Sequence, residues 1–323
     1  MSWDLILPFL RGIEPLILDE DISEIMVNPG GRVFTERRGV VEVVPGVELS
    51  QKTLEAAVKS IARTLGDDVS EAKPILDARL PDGSRVAAVM PPCSLGGITL
   101  TIRKFTARHF TMRDLIECGT LTEPLATLLA EAISRRQNVL VSGGTGTGKT
   151  TLLNILADFI PDVDRVVLIE DTAEIQMRKT NLVRFEARRE QVNLPAVTIR
   201  DLVRASLRHR PDRIIVGEIR GGEAFDLLNA LNTGHSGSIS TLHANTSRGA
   251  LHRFENMVLQ SGVELPYKAI KANIGDCIDL LVHIYRAQGR RYVGEVLEVS
   301  RYRADTDQYE LTTVFTQGAV AAS

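Results

Sequence analysis

Residues 143–150 read GGTGTGKT, with a further threonine at 151. This is a complete G-x-x-x-x-G-K-[ST] pattern. It follows the apolar run NVLVSG (138–143) and leads into TTLLNILADF, so it lies between a predicted strand and a predicted helix. Each residue type has a physical use there. Gly143, Gly144, Gly146 and Gly148, with Thr145 and Thr147 between them, let backbone N–H groups curl round phosphate oxygens, and the helix start adds partial positive charge. Lys149 can reach the β- and γ-phosphates, and the hydroxyl of Thr150, followed by Thr151, can ligate Mg²⁺. A merely flexible glycine turn would not need strand, lysine, hydroxyl and helix in register.

A phosphate loop of this kind needs a partner carboxylate on a neighbouring strand. Two strand ends offer one. VVLIEDTAEI (166–175) places Glu170 and Asp171 at the end of an apolar run, with Glu174 one turn on. RIIVGEIRGG (213–222) places Glu218 at another. Acidic turn residues after strands are common, so either alone is ambiguous. Two in one domain match two tasks, orienting a catalytic water and holding a metal. The residues themselves show only that each carboxylate closes a strand. A fourth segment, GHSGSISTLHAN (234–245), is a strand of small residues with His235 before it and His243 at its end, and both are expected on the phosphate side of the sheet.

The elements that must hold these groups come in two styles. Up to about residue 110 the chain reads as a small α+β domain. ISEIMVN (22–28), RVFTE (32–36), VVEVV (40–44), RVAAVMPP (85–92) and ITLTIRKF (98–105) have strand character. SQKTLEAAVKSIARTLG (50–66) has the period of an amphipathic helix, with Ser50 as N-cap and Gly66 as stop. The pattern weakens over 106–115, which is read as the linker. From 111 onward, a helix over 123–136 and strands over 138–143, 165–170, 213–217 and 238–242 alternate with helical stretches. That spacing predicts a parallel sheet with helices on both faces. The segment from 280 is strand-rich with hairpin spacing and should extend the sheet with antiparallel strands.

Composition narrows the function classes. The 323 residues are 44% hydrophobic and 24% charged, with net charge −3, so a general nucleic-acid binder, which is usually strongly basic, is not expected. IRDLVRASLRHRPDR (199–213) is arginine-rich, but Asp201 and Asp212 dilute it, which favours a solvated or inter-subunit face. Cys93, Cys118 and Cys277 form no CxxC pair and read as reduced thiols of a cytoplasmic protein. No apolar run reaches the ~18 residues of a membrane span. MSWDLILPFL is read as a docking segment or strand, not a signal peptide, and GAVAAS (318–323) as a frayed tail.

Taken in order, GGTGTGKT, IEDTAEI, GEIRGGEA and GHSGSISTLHAN resemble the Walker A, Asp, Walker B and His boxes of the secretion-ATPase superfamily, over 116–280. RLPDGSRVAAVMPP and ITLTIRKF resemble that family's N-terminal domain. The compact length, the PCSLGGITLTIRKF segment and the lack of a tetracysteine zinc module point to the conjugal-transfer and type IV secretion branch, with the tight-adherence pilus ATPases as neighbours. The resemblance implies a RecA-like P-loop NTPase domain (111–323) behind a smaller N-terminal α+β, PAS-like domain (1–110). It implies an ATP hydrolase that uses Mg²⁺, forms a homo-hexamer and works with inner-membrane secretion or conjugation components, in the cytoplasm and peripheral to the inner membrane. It gives Glu218 to the metal, Glu170 to the attacking water, and roles to Lys149 and His243. Arg79, Arg85 and Arg103 stand in the matching N-terminal segments, where the family lends arginines to the nucleotide, with Arg85 and Arg103 taken as catalytic. Competing readings are a small-molecule P-loop kinase, a DNA-stimulated RecA-like motor and a nucleotide-gated adaptor that scarcely turns over.

Overall fold

The structure, a computed structural model, describes residues 6–37, 40–80, 82–105, 110–190 and 194–317. The chain divides into two compact units, the first built on Met1–Arg108 and the second on His109–Glu190 with Leu194–Ser323. The expected border lay at 110. GAVAAS lies outside the described residues.

In the first unit, α1 (Glu14–Leu18) precedes β1 (Ile22–Val27), β2 (Arg32–Arg37), β3 (Val40–Glu48), α2 (Gln51–Thr64), β4 (Ile75–Arg79), β5 (Arg85–Val89) and β6 (Thr99–Arg103). The strands form one antiparallel sheet in the order β3-β2-β1-β6-β5-β4. Ser50 caps α2 as expected, its Oγ accepting from the Thr53 N–H at 3.2 Å. The cap contributes about 1 kcal/mol. Leu54, Val58 and Ile61 of the same helix are fully buried. At about 1.5–3 kcal/mol for each such side chain, packing outweighs the cap. The described part of the N-terminal segment, from Ile6, is not a strand, and residues 1–5 lie outside the described residues. From Leu7 it makes two 3₁₀ turns before α1, which drive Ile6, Leu10, Ile13 and Ile17 into the core shared with α2.

The second unit opens on α3 (Met112–Glu117), where a linker was expected. Thr111 and Asp114 form a capping box there, a local signal the weak apolar pattern hid. Then follow α4 (Glu123–Ser134), β7 (Val139–Gly143), α5 (Lys149–Ala157), β8 (Val166–Glu170), β9 (Leu182–Glu186), α6 (Ile199–Ser206), β10 (Arg213–Val216), α7 (Glu223–Asn232), β11 (Ile239–His243), α8 (Ser247–Leu259) and α9 (Tyr267–Cys277). β12 (Leu280–Ala287), β13 (Arg290–Arg303) and β14 (Gln308–Thr316) complete it.

Strands run β10-β8-β9 in one sheet and β11-β7-β12-β13-β14 in the other, and a parallel bridge from Ile219 to Leu242 joins the β10 end to β11. β12 is parallel to β7, against expectation, while β13 is antiparallel to both of its neighbours, β12 and β14, as the hairpin spacing predicts. Successive residues of β7 feed opposite layers. Val139 and Val141 pack with Leu152 and Leu156 of α5, while Leu140 packs with Leu227 of α7 and Phe254 of α8. A sheet buried on both faces explains why these strands read as unbroken apolar runs. The parallel registers bring the carboxyl ends of β7, β8, β10 and β11 to one edge.

The opposite edge holds a buried ion network. Arg213 Nε donates to Asp164 Oδ2 at 2.7 Å, Arg136 Nη2 reaches Asp164 Oδ1 at 2.6 Å, and the Arg213 and Asp164 side chains are 0% and 6% exposed. Burial pushes the Asp164 carboxyl up, but the two arginines more than reverse this and hold it below its ordinary value. Asp164→Asn is expected to cost about 3–5 kcal/mol, because Arg213 would be left buried and uncompensated. The sign with pH follows from the depressed value: the contribution is complete above about pH 4, the unfolded value, and is lost as pH falls through the folded one. Thermal melts of wild type and variant should therefore differ most near neutral pH and converge in acid. A gap that persists in acid would show that the charge of Asp164 is not what stabilises the fold.

Candidate functional site

β7 ends at Gly143, and the loop Gly144–Gly148 turns straight into α5. Gly148 sits at the N-cap with φ +98°, a left-handed conformation costly for any side-chain-bearing residue. A Cβ on Gly143 would lie 2.4 Å from the Ile284 carbonyl oxygen of β12, so the loop's first residue has no room for a side chain. Thr147 Oγ1 donates to the Gly144 carbonyl at 3.0 Å and Lys149 Nζ donates to the same oxygen at 2.7 Å. Thr145 and Gly146 are exposed at the tip, and Thr150 and Thr151 lie half-buried in the first turn of α5.

His243 and Glu218 join this loop from neighbouring strands. Lys149 Nζ lies 3.3 Å from His243 Nδ1, and His243 Nε2 lies 3.1 Å from Glu218 Oε1. An ammonium can only donate, so Nδ1 accepts and the ring proton sits on Nε2, facing Glu218. Burial first, and then the Lys149 charge, hold His243 below its ordinary value, consistent with a neutral ring. Burial lowers Lys149 as well. Glu218 is pushed up by burial, yet Arg220, His243 and Lys149 outweigh this and keep it below its usual range. Its position is fixed from β11, where Thr241 Oγ1 donates to the Gly217 carbonyl at 2.7 Å.

Arg220 was not singled out by sequence, although it stands two residues after Glu218. Its Nη2 donates to Glu218 Oε2 at 2.7 Å and its Nη1 to Asp171 Oδ2 at 3.3 Å, so one guanidinium ties the β10 end to the β8 end. Glu170, 3% exposed, is held differently. Its Oε1 accepts from the Glu174 and Ile175 N–H groups at 2.8 and 2.7 Å, while Oε2 has only a long contact, 3.3 Å, from Arg184. Burial raises its pKa despite these partners. Glu170 packs against the chain just before Glu218, since a Cβ on Gly217 would meet its Cγ at 3.2 Å.

The donor set suits Mg²⁺. Glu218 Oε1 is buried without a hydrogen-bond partner, His243 Nε2 being near but off line. Among the described residues no cluster of three His, Cys, Asp or Glu side chains could cage a metal. Mg²⁺ needs no such cage, since it keeps waters and shares phosphate oxygens with one or two protein groups. Glu218 and the Thr150 hydroxyl are the groups that would hold it.

The remaining expectations are placed as follows. In the first unit Arg79, Arg85 and Arg103 stand directly opposite one another across β4, β5 and β6. Like charges opposed in a sheet repel, and carboxylates of the same sheet answer part of this row: Asp77 Oδ1 lies 3.5 Å from Arg85 Nη2, and Glu24 stands opposite Arg103. His235 is not on the phosphate side. β11 runs parallel to β7 with His243 opposite Gly143, so a residue before its start lies at the far edge, where His235 Nδ1 donates to the Ala230 carbonyl at 3.1 Å. In the arginine-rich segment, Arg200 and Arg204 both donate through Nε to Asp226 of α7 at 2.7 Å, and Arg213 is the buried strand residue described above. A further arginine, Arg291, reaches the phosphate loop, its Nε donating to the Gly146 carbonyl at 3.0 Å.

Residues 10–306 match the family described as "Type II/IV secretion system protein". The chain is 38% identical over 297 residues to the conjugal transfer protein TrbB of Rhizobium radiobacter, covering 90% of this chain and 88% of that one. It is 35% identical over 316 residues to the type IV secretion system protein PtlH of Bordetella pertussis (strain Tohama I), covering 90% and 93%. The crystal structure of the pilus retraction motor PilT with bound ADP superposes with a TM-score of 0.62 at 20% identity, over 97% of this chain and 83% of that one. At that identity the likeness speaks to fold alone, and it agrees with a RecA-like P-loop domain behind a smaller α+β one.

Proposed function

This chain belongs to the type II/IV secretion system protein family, in its conjugal-transfer and type IV secretion branch, and from that premise we propose that it is a Mg²⁺-dependent ATPase motor working as a homo-hexamer. It hydrolyses ATP to ADP and phosphate and powers conjugative transfer or type IV secretion. It does so at the cytoplasmic face of the inner membrane, docked on that membrane's components of the machine. The names of the relatives, a conjugal transfer protein and a type IV secretion system protein, support the process it powers. Among the described residues no helix is long and apolar enough to cross a membrane.

The observation that carries the reading is the convergence of Lys149, His243 and Glu218 at the mouth of the phosphate loop. Lys149 meets the transferring phosphate. Thr150 and Glu218 hold Mg²⁺, which when bound offsets charge on the β- and γ-oxygens. Glu170 takes the proton of the attacking water at Oε2, the oxygen its loop contacts leave least engaged. His243, hydrogen-bonded to Lys149 and facing Glu218, registers whether the γ-phosphate is in place. Arg85 and Arg103 meet charge that Lys149 and one Mg²⁺ leave uncovered, in their own subunit or the next.

Light scattering with and without ATP, read together with turnover, tests motor and ring at once. The sharper form mixes Arg85→Ala with Lys149→Ala protein. If Arg85 acts on a neighbour, mixed rings contain some complete sites and activity returns. If it serves its own subunit, the mixture stays at the level of the single variants. Full turnover by a monomer would sink the ring mechanism.

A further inference from the structure

β12 runs beside β7 in parallel register, with Ile284 opposite Gly143. The chain therefore passes the point where the phosphate loop begins, and Tyr285, Arg286 and Ala287 continue along it. The hairpin turns at Gln288 and Gly289, both left-handed, at φ +49° and +76°. Two left-handed residues give the tight turn whose twist matches that of paired strands, so the returning residues come back beside the outgoing ones. Arg290 and Arg291 are those residues.

Arg291 comes to rest against the loop. Its Nε donates to the Gly146 carbonyl at 3.0 Å, and its Cδ lies 3.4 Å from where a Cβ on Gly148 would stand. Arg286 Nη1 lies 3.2 Å from the corresponding point on Gly146. Two arginines, Arg286 and Arg291, thus stand at a loop whose N–H groups and Lys149 are already positive. Among the described residues no carboxylate lies within ion-pair range of Arg291; Glu117, which lines the same pocket as Arg291, gives its Oε1 to Arg113. A guanidinium has five N–H donors, and the Gly146 carbonyl takes one of them.

From this placement we infer that Arg291, delivered by the β12–β13 hairpin, is a second phosphate-contacting cation of the nucleotide site, acting beside Lys149. Nε holds the arginine at the Gly146 carbonyl, which leaves its terminal nitrogens for phosphate oxygens, for which a planar fork is better matched than an ammonium. Arg286 adds field of the same sign. The inference rests on the ATP reading of the phosphate loop. It also ties the loop to a hairpin about 145 residues away in sequence, so nucleotide binding would tighten both.

The test measures binding of a fluorescent ATP analogue to the full-length protein, displaced by ATP, ADP and AMP, for wild type, Arg291→Ala, Arg291→Gln and Arg291→Lys. Thermal melts check that each variant folds. A charge-assisted hydrogen bond lost from a binding site corresponds to a weakening of about tenfold or more. Arg291→Ala and Arg291→Gln should each lose about that factor for ATP, with the loss shrinking toward AMP. Arg291→Lys, which keeps the charge but neither the planar fork nor the Nε bond to Gly146, should lose less than Arg291→Ala and Arg291→Gln but not match wild type. Gln keeps an N–H that can reach the Gly146 carbonyl but carries no charge. If Arg291→Gln binds ATP like wild type, Arg291 only pins the loop and the inference fails. An equal loss for AMP and ATP would place the contact on the nucleoside and overturn it as well. Wild type that binds no nucleotide at all would refute the ATP reading and this inference with it, whereas wild-type binding with unaffected variants would refute the inference alone.

Discussion

Glu170→Gln is expected to lower ATP turnover by about 10²–10⁴-fold while ATP stays bound, the range that general-base catalysis supplies. The substitution is almost isosteric, and the geometry says how it sits. The amide oxygen can keep the two backbone N–H bonds from Glu174 and Ile175 that Oε1 now accepts, so the loop after β8 stays in place. The amide nitrogen must then take the Oε2 position, 3.3 Å from Arg184 Nη2, where it can donate but no longer accept a proton. A second readout follows from the burial that raises the Glu170 pKa. The base works only when ionised, so turnover should climb with pH through a value above the usual carboxylate range, and that limb should vanish in the variant. A variant that keeps the limb, or retains more than a few per cent of turnover, would show that another group takes the proton.

The same substitution at Glu218 should read out differently. Its Oε1 is buried without an aligned donor and its Oε2 is held by Arg220, a carboxylate poised for a cation, not for a water's proton. Glu218→Gln should shift the Mg²⁺ titration to higher concentration as well as slow turnover. If both variants titrate with Mg²⁺ like wild type, the division of labour between the two carboxylates is wrong.

What could be read in the sequence was local. The phosphate loop announces itself because strand, glycines, lysine and helix are contiguous, and β7, β8 and β10 stood out as apolar runs because both their faces are buried. β4 and β9 went unread. Each lies at an edge of its sheet, and ILDAR and LVRFE carry charge on faces that are only partly covered. His235 and His243 looked equivalent in one dimension, and only the parallel register of β11 against β7 separates them. Arg213 closes the basic segment and opens the strand 213–217, both of which the sequence shows, but not that it is buried there and needs Asp164, 49 residues earlier, to be tolerated. The row of Arg79, Arg85 and Arg103 depends on hairpin registers that set residues 6 and 18 positions apart side by side. Arg291 carried no signal at all, since a hairpin return decides what it touches.

Replacing Lys149 should abolish turnover without weakening the fold, and that combination is what separates a functional lysine from a structural one. Lys149 is buried, and its Nζ is engaged by two neutral acceptors, the Gly144 carbonyl and His243 Nδ1, with no carboxylate in ion-pair range among the described residues. Burying an ammonium against neutral partners is unfavourable, which is why its pKa is depressed. For a base with a depressed folded value the penalty is fully present below that value and disappears only above the unfolded one, near pH 10.4, so it applies at neutral pH. Lys149→Met keeps the buried stem and removes the charge, and its melting temperature without nucleotide should equal or exceed that of wild type. The rise in melting temperature on adding ATP, which reports binding to the folded state, should disappear. Turnover should fall by at least about 10²-fold for both Lys149→Met and Lys149→Ala, the scale of losing one preorganised charge at a developing oxyanion. Wild-type turnover in either variant would show that the phosphate loop is not the catalytic site. A large drop in the melting temperature of Lys149→Met would instead make this lysine part of what holds the fold together.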